Sequence, residues 1–268
     1  MLPLVLHIPH ASAAIPDECV VDFLIDRDRL AKHLAASTDH FTDELFCMVG
    51  GETSTVAFPI SRLVVDPERF EDDAQEPMAA RGLGVLYECG HDGQRIRSPI
   101  QPERRAWYLD RWYRPHHAAL EAAVNLALRS HGRALIIDCH SYHDVPLAVD
   151  LDQSTPRPDG CFGTSGVHTP PWLVEAGMRF AASQGWTFGI DQPYAGSIVP
   201  MKHYGKDARV LSIMVEVNRK RYMHLEDGVA RKTASFDGTR HFVLELISRL
   251  RAAFAHAHLQ GEHACLNP

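Results

Sequence analysis

The chain has few of the features that identify an enzyme directly. Its six cysteines, Cys19, Cys47, Cys89, Cys139, Cys161 and Cys265, include no Cys-x-x-Cys pair, which removes the thiolate zinc sites and the dithiol redox motif. A chain of 268 residues can form a core without disulfide staples, so reduced thiols and a cytoplasmic location are expected. No apolar stretch approaches the ~20 residues of a membrane-spanning helix. The opening Met1-Leu2-Pro3-Leu4 lacks the basic start and long apolar region of a secretory signal. Basic runs are missing too: 27 Lys and Arg stand against 34 Asp and Glu, for a formal net charge of -7. Nucleic acid is therefore not an expected partner. There is no His-Glu-x-x-His pair, and Ser141 lacks the Gly-x-Ser-x-Gly elbow of a serine hydrolase. Cys139 alternates with Asp138 and His140 and should point into the core, which makes it a poor nucleophile.

What the chain does have is histidine, 17 residues of it. Imidazole is the commonest metal ligand, so the excess favours a metal site. Hydrophobic residues make up 45% and charged residues 23%, ordinary for a globular protein with a full core. With no repeat, linker or low-complexity stretch, one domain spanning 1–268 is expected.

Apolar runs at Leu4–Ile8, Thr53–Ile60, Ala134–Asp138 and Leu211–Val217 predict strands, the third and fourth fully buried. Helices are expected over Asp26–Met48, stopped by Gly50-Gly51, over Glu103–Ser130, over Leu173–Gln184 and over Asp237–His258. Leu30, Leu34, Phe41 and Leu45 give the first its apolar side. Trp107, Trp112, Leu120, Val124 and Leu128 do so for the second, which Pro115 should kink or divide. Residues 66–102 read as a long surface excursion of the kind that often carries function, and residues 150–170 as loop. Alternating strands and helices predict an α/β fold, a mostly parallel sheet with helices on both faces.

Three polar clusters lie at the ends of predicted strands: His7-Ile8-Pro9-His10, Asp138 to Asp144, and Glu216-Val217-Asn218-Arg219. In open parallel sheets the ligand crevice lies at the carboxyl ends of the strands, so these groups are expected to converge. Two imidazoles and a carboxylate form the ligand set of a hydrolytic zinc ion with one open position. A further carboxylate is needed to shuttle the proton. Arg62 and Arg69 could clamp an acidic substrate through their planar forks, or brace their own loop by pairing with Asp66. Arg219 is a third candidate for carboxylate recognition. Tyr194 and His203, on a segment with Gly196 and Gly205, are either ligand donors or part of a plain turn.

The series PHAS (9–12), STD (37–39), SRLVVDPER (61–69), DCHS (138–141), YAGS…KHYG (194–205) and VEVNRKRYM (215–223) resembles the N-formylglutamate amidohydrolase family, in order through most of the chain. The resemblance implies a fold similar to zinc carboxypeptidases and aspartoacylases. It also implies hydrolysis of N-formyl-L-glutamate to formate and glutamate, in histidine breakdown. On this footing His10 and His140 would bind Zn²⁺, and Glu216 would act as general base and acid. Carboxypeptidases place a glutamate three residues after the first histidine, but Ala13 stands there. Asp39 of the STD motif is the chosen third ligand, with Asp43 as the fallback and His7 set aside. Ala195-Gly196 replaces the family's glycine pair, and VVDPER departs from its usual form, so the acyl group and amino acid could differ. The expected partner is a small acidic N-acyl amino acid. The rival readings are a carboxypeptidase or amidase acting on a larger substrate, and a catalytically silent binding protein of the same fold.

Overall fold

The computed structural model describes residues 4–48 and 53–264; Gly50-Gly51, the expected stop of the first long helix, lies outside the described residues. Four strands follow the apolar runs: β1 (Leu4–Ile8), β2 (Thr53–Ala57), β3 (Ala134–Tyr142) and β6 (Val210–Asn218). They are mutually parallel. Two strands went unread in the sequence, β4 (Gly160–Gly163) and β5 (Phe188–Ile190). They are too short to show a period, and β4 falls inside the segment expected to be loop. The sheet order is β2-β1-β3-β6-β4-β5. The β4 strand runs antiparallel to β6 and parallel to β5, so the sheet is mostly parallel.

The helices are α1 (Asp17–Val20), α2 (Arg27–Ser37), α3 (Thr42–Leu45), α4 (Pro102–Tyr108), α5 (Arg114–His131), α6 (Pro171–Ser183) and α7 (Phe236–Ala264). Helices cover both faces, as expected. On one face Leu120, Val124 and Ala127 of α5 pack on Val5, Val56, Ala134, Ile136 and Val210. On the other, α6 and α7 pack on Leu6, Ile8, Leu135, Ile137, Cys139, Ile213 and Val215. A separate two-stranded hairpin, β7 (Met223–Glu226) with β8 (Val229–Lys232), stands apart from the sheet.

Two departures from expectation shape the site. The helix expected over Asp26–Met48 is broken. Asp26 caps α2 by accepting from the Arg29 N–H at 2.8 Å, but the helix ends at Ser37 and α3 begins only at Thr42. Phe41 turns the chain with φ 64°, a left-handed conformation that a non-glycine residue adopts only when its surroundings hold it there. The segment after β2 is also no surface excursion: Ile60, Val64, Val65, Val85 and Leu86 form a buried cluster with Tyr108, Leu109 and Tyr113. The break expected at Pro115 takes the form of a π-helical turn, Leu109–Tyr113, between α4 and α5. A residue lacking an N–H sits naturally just after such a turn.

Candidate metal centre

Alternation along the strands sets which side chains meet. In β3, Ile136, Asp138 and His140 share the α5 face, while Cys139 lies in the opposite core. The register pairs His7 with Asp138 and His140 with Glu216, so all four side chains fall on one face. The observed strands run past the apolar runs that predicted them. His140, expected just after its strand, therefore lies within β3, as Asp138 does, and Glu216 lies within β6.

His10 follows β1, and the break between α2 and α3 lets Asp39 fold against it: the Asp39 N–H donates to the His10 carbonyl at 2.9 Å. One donor atom each from His10, Asp39 and His140 lie within 4.8 Å of one another, and all three residues are buried. His140 Nδ1 is 3.3 Å and His10 Nδ1 3.9 Å from Asp39 Oδ2. His10 Nε2 donates to Asp66 Oδ1 at 2.9 Å, which leaves Nδ1 as a bare lone pair. Among the described residues that buried nitrogen has no hydrogen-bond partner. An orphaned imidazole nitrogen facing a carboxylate and a second imidazole fits a cation in that position better than it fits an empty core. Asp43, the alternative ligand, is exposed on α3.

The electrostatics suit a cation. Burial would raise the Asp39 carboxyl, but His140 and Arg219 outweigh it and hold it ionised. Burial and the neighbouring Arg62 keep His10 neutral. Asp66 stays well below the usual carboxylate range because Arg62 and His10 overcome its burial. Glu216 differs: burial pushes its carboxyl up to about 8 against the pull of His140, and its Oε2 has no partner.

His10, Asp39, His140 and Glu216 line a cavity of about 890 Å³ whose walls also include Arg62, Arg69, Tyr87 and Tyr194. Arg62 lies near both of its alternatives. Its Nε and Nη2 reach Asp66 at 3.2 and 2.8 Å, while its Nη1 makes no hydrogen bond among the described residues. Arg69 gives its Nε to the Leu83 carbonyl at 3.2 Å and holds it 3.8 Å from Asp66 Oδ2, while its two terminal nitrogens make no hydrogen bond among the described residues. Tyr194 lies in the wall, its hydroxyl 3.4 Å from Arg157.

Two candidates are not free for a substrate. His203 is not in the cavity wall; it gives its two ring nitrogens to Asp207 and Asn125 at 3.0 and 3.2 Å and so ties its turn to α5. Arg219 reaches the cavity, but its fork is spent. Its Nε contacts Ser141, its Nη1 the Ala36 carbonyl and His143, and its Nη2 the Asp39 carboxylate and the Ser141 carbonyl. The carboxylate it recognises is Asp39. Asp138 and His143 were expected only as members of the strand-end cluster, and Glu68 and Tyr87 were not singled out, because nothing in the spacing of their segment marks them.

Similarity searches place this geometry in a family. The chain resembles N-formylglutamate amidohydrolase from Ralstonia eutropha JMP134, with a TM-score of 0.76, 23% identity and coverage of 95% of this chain and 93% of that one. It also resembles a gene product from Agrobacterium tumefaciens, with a TM-score of 0.64, 16% identity and coverage of 95% and 91%. At such identities these likenesses speak for the fold. A search of curated sequences gave no match. The family model described as N-formylglutamate amidohydrolase matches residues 2–223, and the chain belongs to that family of amidohydrolases.

Proposed function

We propose that the chain is a zinc-dependent amidohydrolase that removes an N-acyl group, N-formyl first among candidates, from glutamate or a similarly acidic amino acid. The observation that carries this reading is the orphaned His10 Nδ1, turned toward Asp39 and His140, with the unpartnered Glu216 carboxyl lining the same cavity. His10, Asp39 and His140 would hold the ion, which when bound lowers the pKa of water and polarises the scissile carbonyl.

The chain's own groups do the rest. Glu216, whose Oε2 is left without a partner among the described residues, takes as carboxylate the proton of the attacking water and passes it to the departing amine. The amide C–N bond breaks, leaving formate and the free amino acid. Arg69 and the free Nη1 of Arg62 bind the substrate carboxylates, with Tyr194 as a further donor. As the family implies, the cytoplasm and histidine breakdown are the proposed setting. The cavity, at about 890 Å³ and walled in part by Leu147, Val149 and Leu151, also supports a second reading in which the substrate is larger.

Purified protein should carry about one divalent metal per chain. It should hydrolyse N-formylglutamate, lose turnover to a chelator and regain it with zinc. Comparing formyl, acetyl and succinyl amino acids with short peptides separates the two readings. Full activity in metal-free protein would defeat both.

A further inference from the structure

Glu68 reads in the sequence as one more charge in an arginine-rich loop. In the folded chain it has, among the described residues, no cationic side chain other than imidazole within ion-pair distance. Its N–H donates to Asp66 at 3.0 Å, and this turn aims its carboxylate at the back of the metal centre. Glu68 Oε2 lies 2.9 Å from His140 Nε2, and Oε1 lies 3.5 Å from His7 Nδ1.

We infer that Glu68 is a positioning residue for His140, fixing the ring with its proton on Nε2 and its lone pair on Nδ1, and so setting how tightly the centre holds its ion. This rests on the metal reading above but assigns a role outside the three ligands. An imidazole that binds metal through Nδ1 must carry its proton on Nε2, and that proton needs a buried acceptor. His10 has such an acceptor in Asp66. For His140 there are two carboxylates, Glu68 at 2.9 Å and Asp138 at 3.2 Å. Asp138 is shared: its Oδ1 accepts from His140 Nε2 at 3.2 Å and from His7 Nδ1 at 2.8 Å, and its Oδ2 from the Ile198 N–H at 2.9 Å. Glu68 Oε2 stands closer to His140 Nε2 and has no other donor among the described residues.

The surroundings explain why a second carboxylate is tolerated there. His7 bridges the pair, donating toward Asp138 and passing its other ring nitrogen to His116 at 2.8 Å. His7, Glu68 and Asp138 could be taken for a second metal site, since their donor atoms also cluster within 4.8 Å. The 2.8 Å between His7 Nδ1 and Asp138 Oδ1 argues for a shared proton instead. Ligands at about 2.0–2.2 Å from a tetrahedral zinc stand further apart than that.

The test compares zinc affinity of wild type, Glu68→Ala and Glu68→Gln by competition with a chromogenic chelator, alongside ¹⁵N spectra of the histidine rings. Glu68→Ala should bind zinc about 10–100-fold more weakly. Glu68→Gln, which keeps an oxygen acceptor, should fall between. All three should hold one zinc, and the His140 Nε2–H signal should exchange faster in the alanine variant. If Glu68→Ala does not fold, Glu68→Gln carries the test. Wild-type affinity in both variants overturns the role of Glu68 alone. Two zinc ions in wild type and one in the variants makes Glu68 a ligand and overturns it as well. No zinc in wild type removes the metal reading itself.

Discussion

Glu216 and the two arginines lining the cavity are distinguished by what their neighbours leave undone. Glu216 sits in β6 with an oxygen that no group among the described residues satisfies and a carboxyl raised to about 8. Replacing it by glutamine keeps shape and removes the proton carrier. Glu216→Gln should lower kcat by ~10²–10⁴-fold while zinc content by elemental analysis stays unchanged; a fully active variant would mean the base is elsewhere. Arg69 and Arg62, alike in the sequence, part company in the structure. Arg69 lines the cavity with no hydrogen bond to either terminal nitrogen among the described residues, so Arg69→Ala should raise KM about 10–100-fold, the worth of a hydrogen bond to a charged group at about 1.5–3 kcal/mol. Arg62 also braces Asp66 and through it His10. Arg62→Ala should therefore weaken zinc as well as substrate. Equal zinc affinity in the two variants would show that the brace is dispensable.

Among the elements, the turn that follows β5 and the short strand β4 depend on one another. A Cβ at Gly163, the last residue of β4, would meet the Gly196 carbonyl oxygen and the Met214 side chain. The first of these is backbone and cannot rotate away. Gly163→Ala should cost roughly 1–3 kcal/mol, read as a melting temperature lower by at least about 2 °C. Because Tyr194 rides on the same segment, KM should rise with it. An unchanged melt would mean that the segment shifts freely. Neither β4 nor this contact was legible, since four residues show no period and glycine leaves no side chain to read. The break between α2 and α3 was hidden for another reason. The apolar spacing Leu30, Leu34, Phe41, Leu45 continues across it, but pairing the Asp39 N–H with the His10 carbonyl outweighs continuing the helix.

Across the whole molecule, protonation and folding are coupled through the buried centre. In metal-free protein His7 is raised to about 9 and His140 well above its ordinary 6.5. In each, Glu68 and Asp138 overcome burial. Glu216, lifted by burial, titrates near 8. Each raised value means the native state keeps a proton that the unfolded chain has released. The stability involved is complete below the unfolded pKa and is lost as pH climbs toward the folded one. Burial lowers His116 to about 2 and His143 to about 3, which works the other way but only below about pH 6.5. The urea midpoint of metal-free protein should therefore fall from about pH 6.5 to about 9. A midpoint that rose over that window would contradict the charge assignment at His7. Zinc should flatten the fall, because its ligands bind it deprotonated.

The buried strands β1, β3 and β6, the two-faced α/β architecture and the residue types of the centre were set by the sequence itself, because apolar runs and strand alternation are local and act wherever the chain goes. Which carboxylate serves which imidazole was decided only in three dimensions. Asp39, Asp43, Asp66, Glu68 and Asp138 are chemically near-equivalent along the chain. The 2.9 Å approach of Glu68 to His140, 72 residues later, exists only because the loop after β2 folds back against the end of β3.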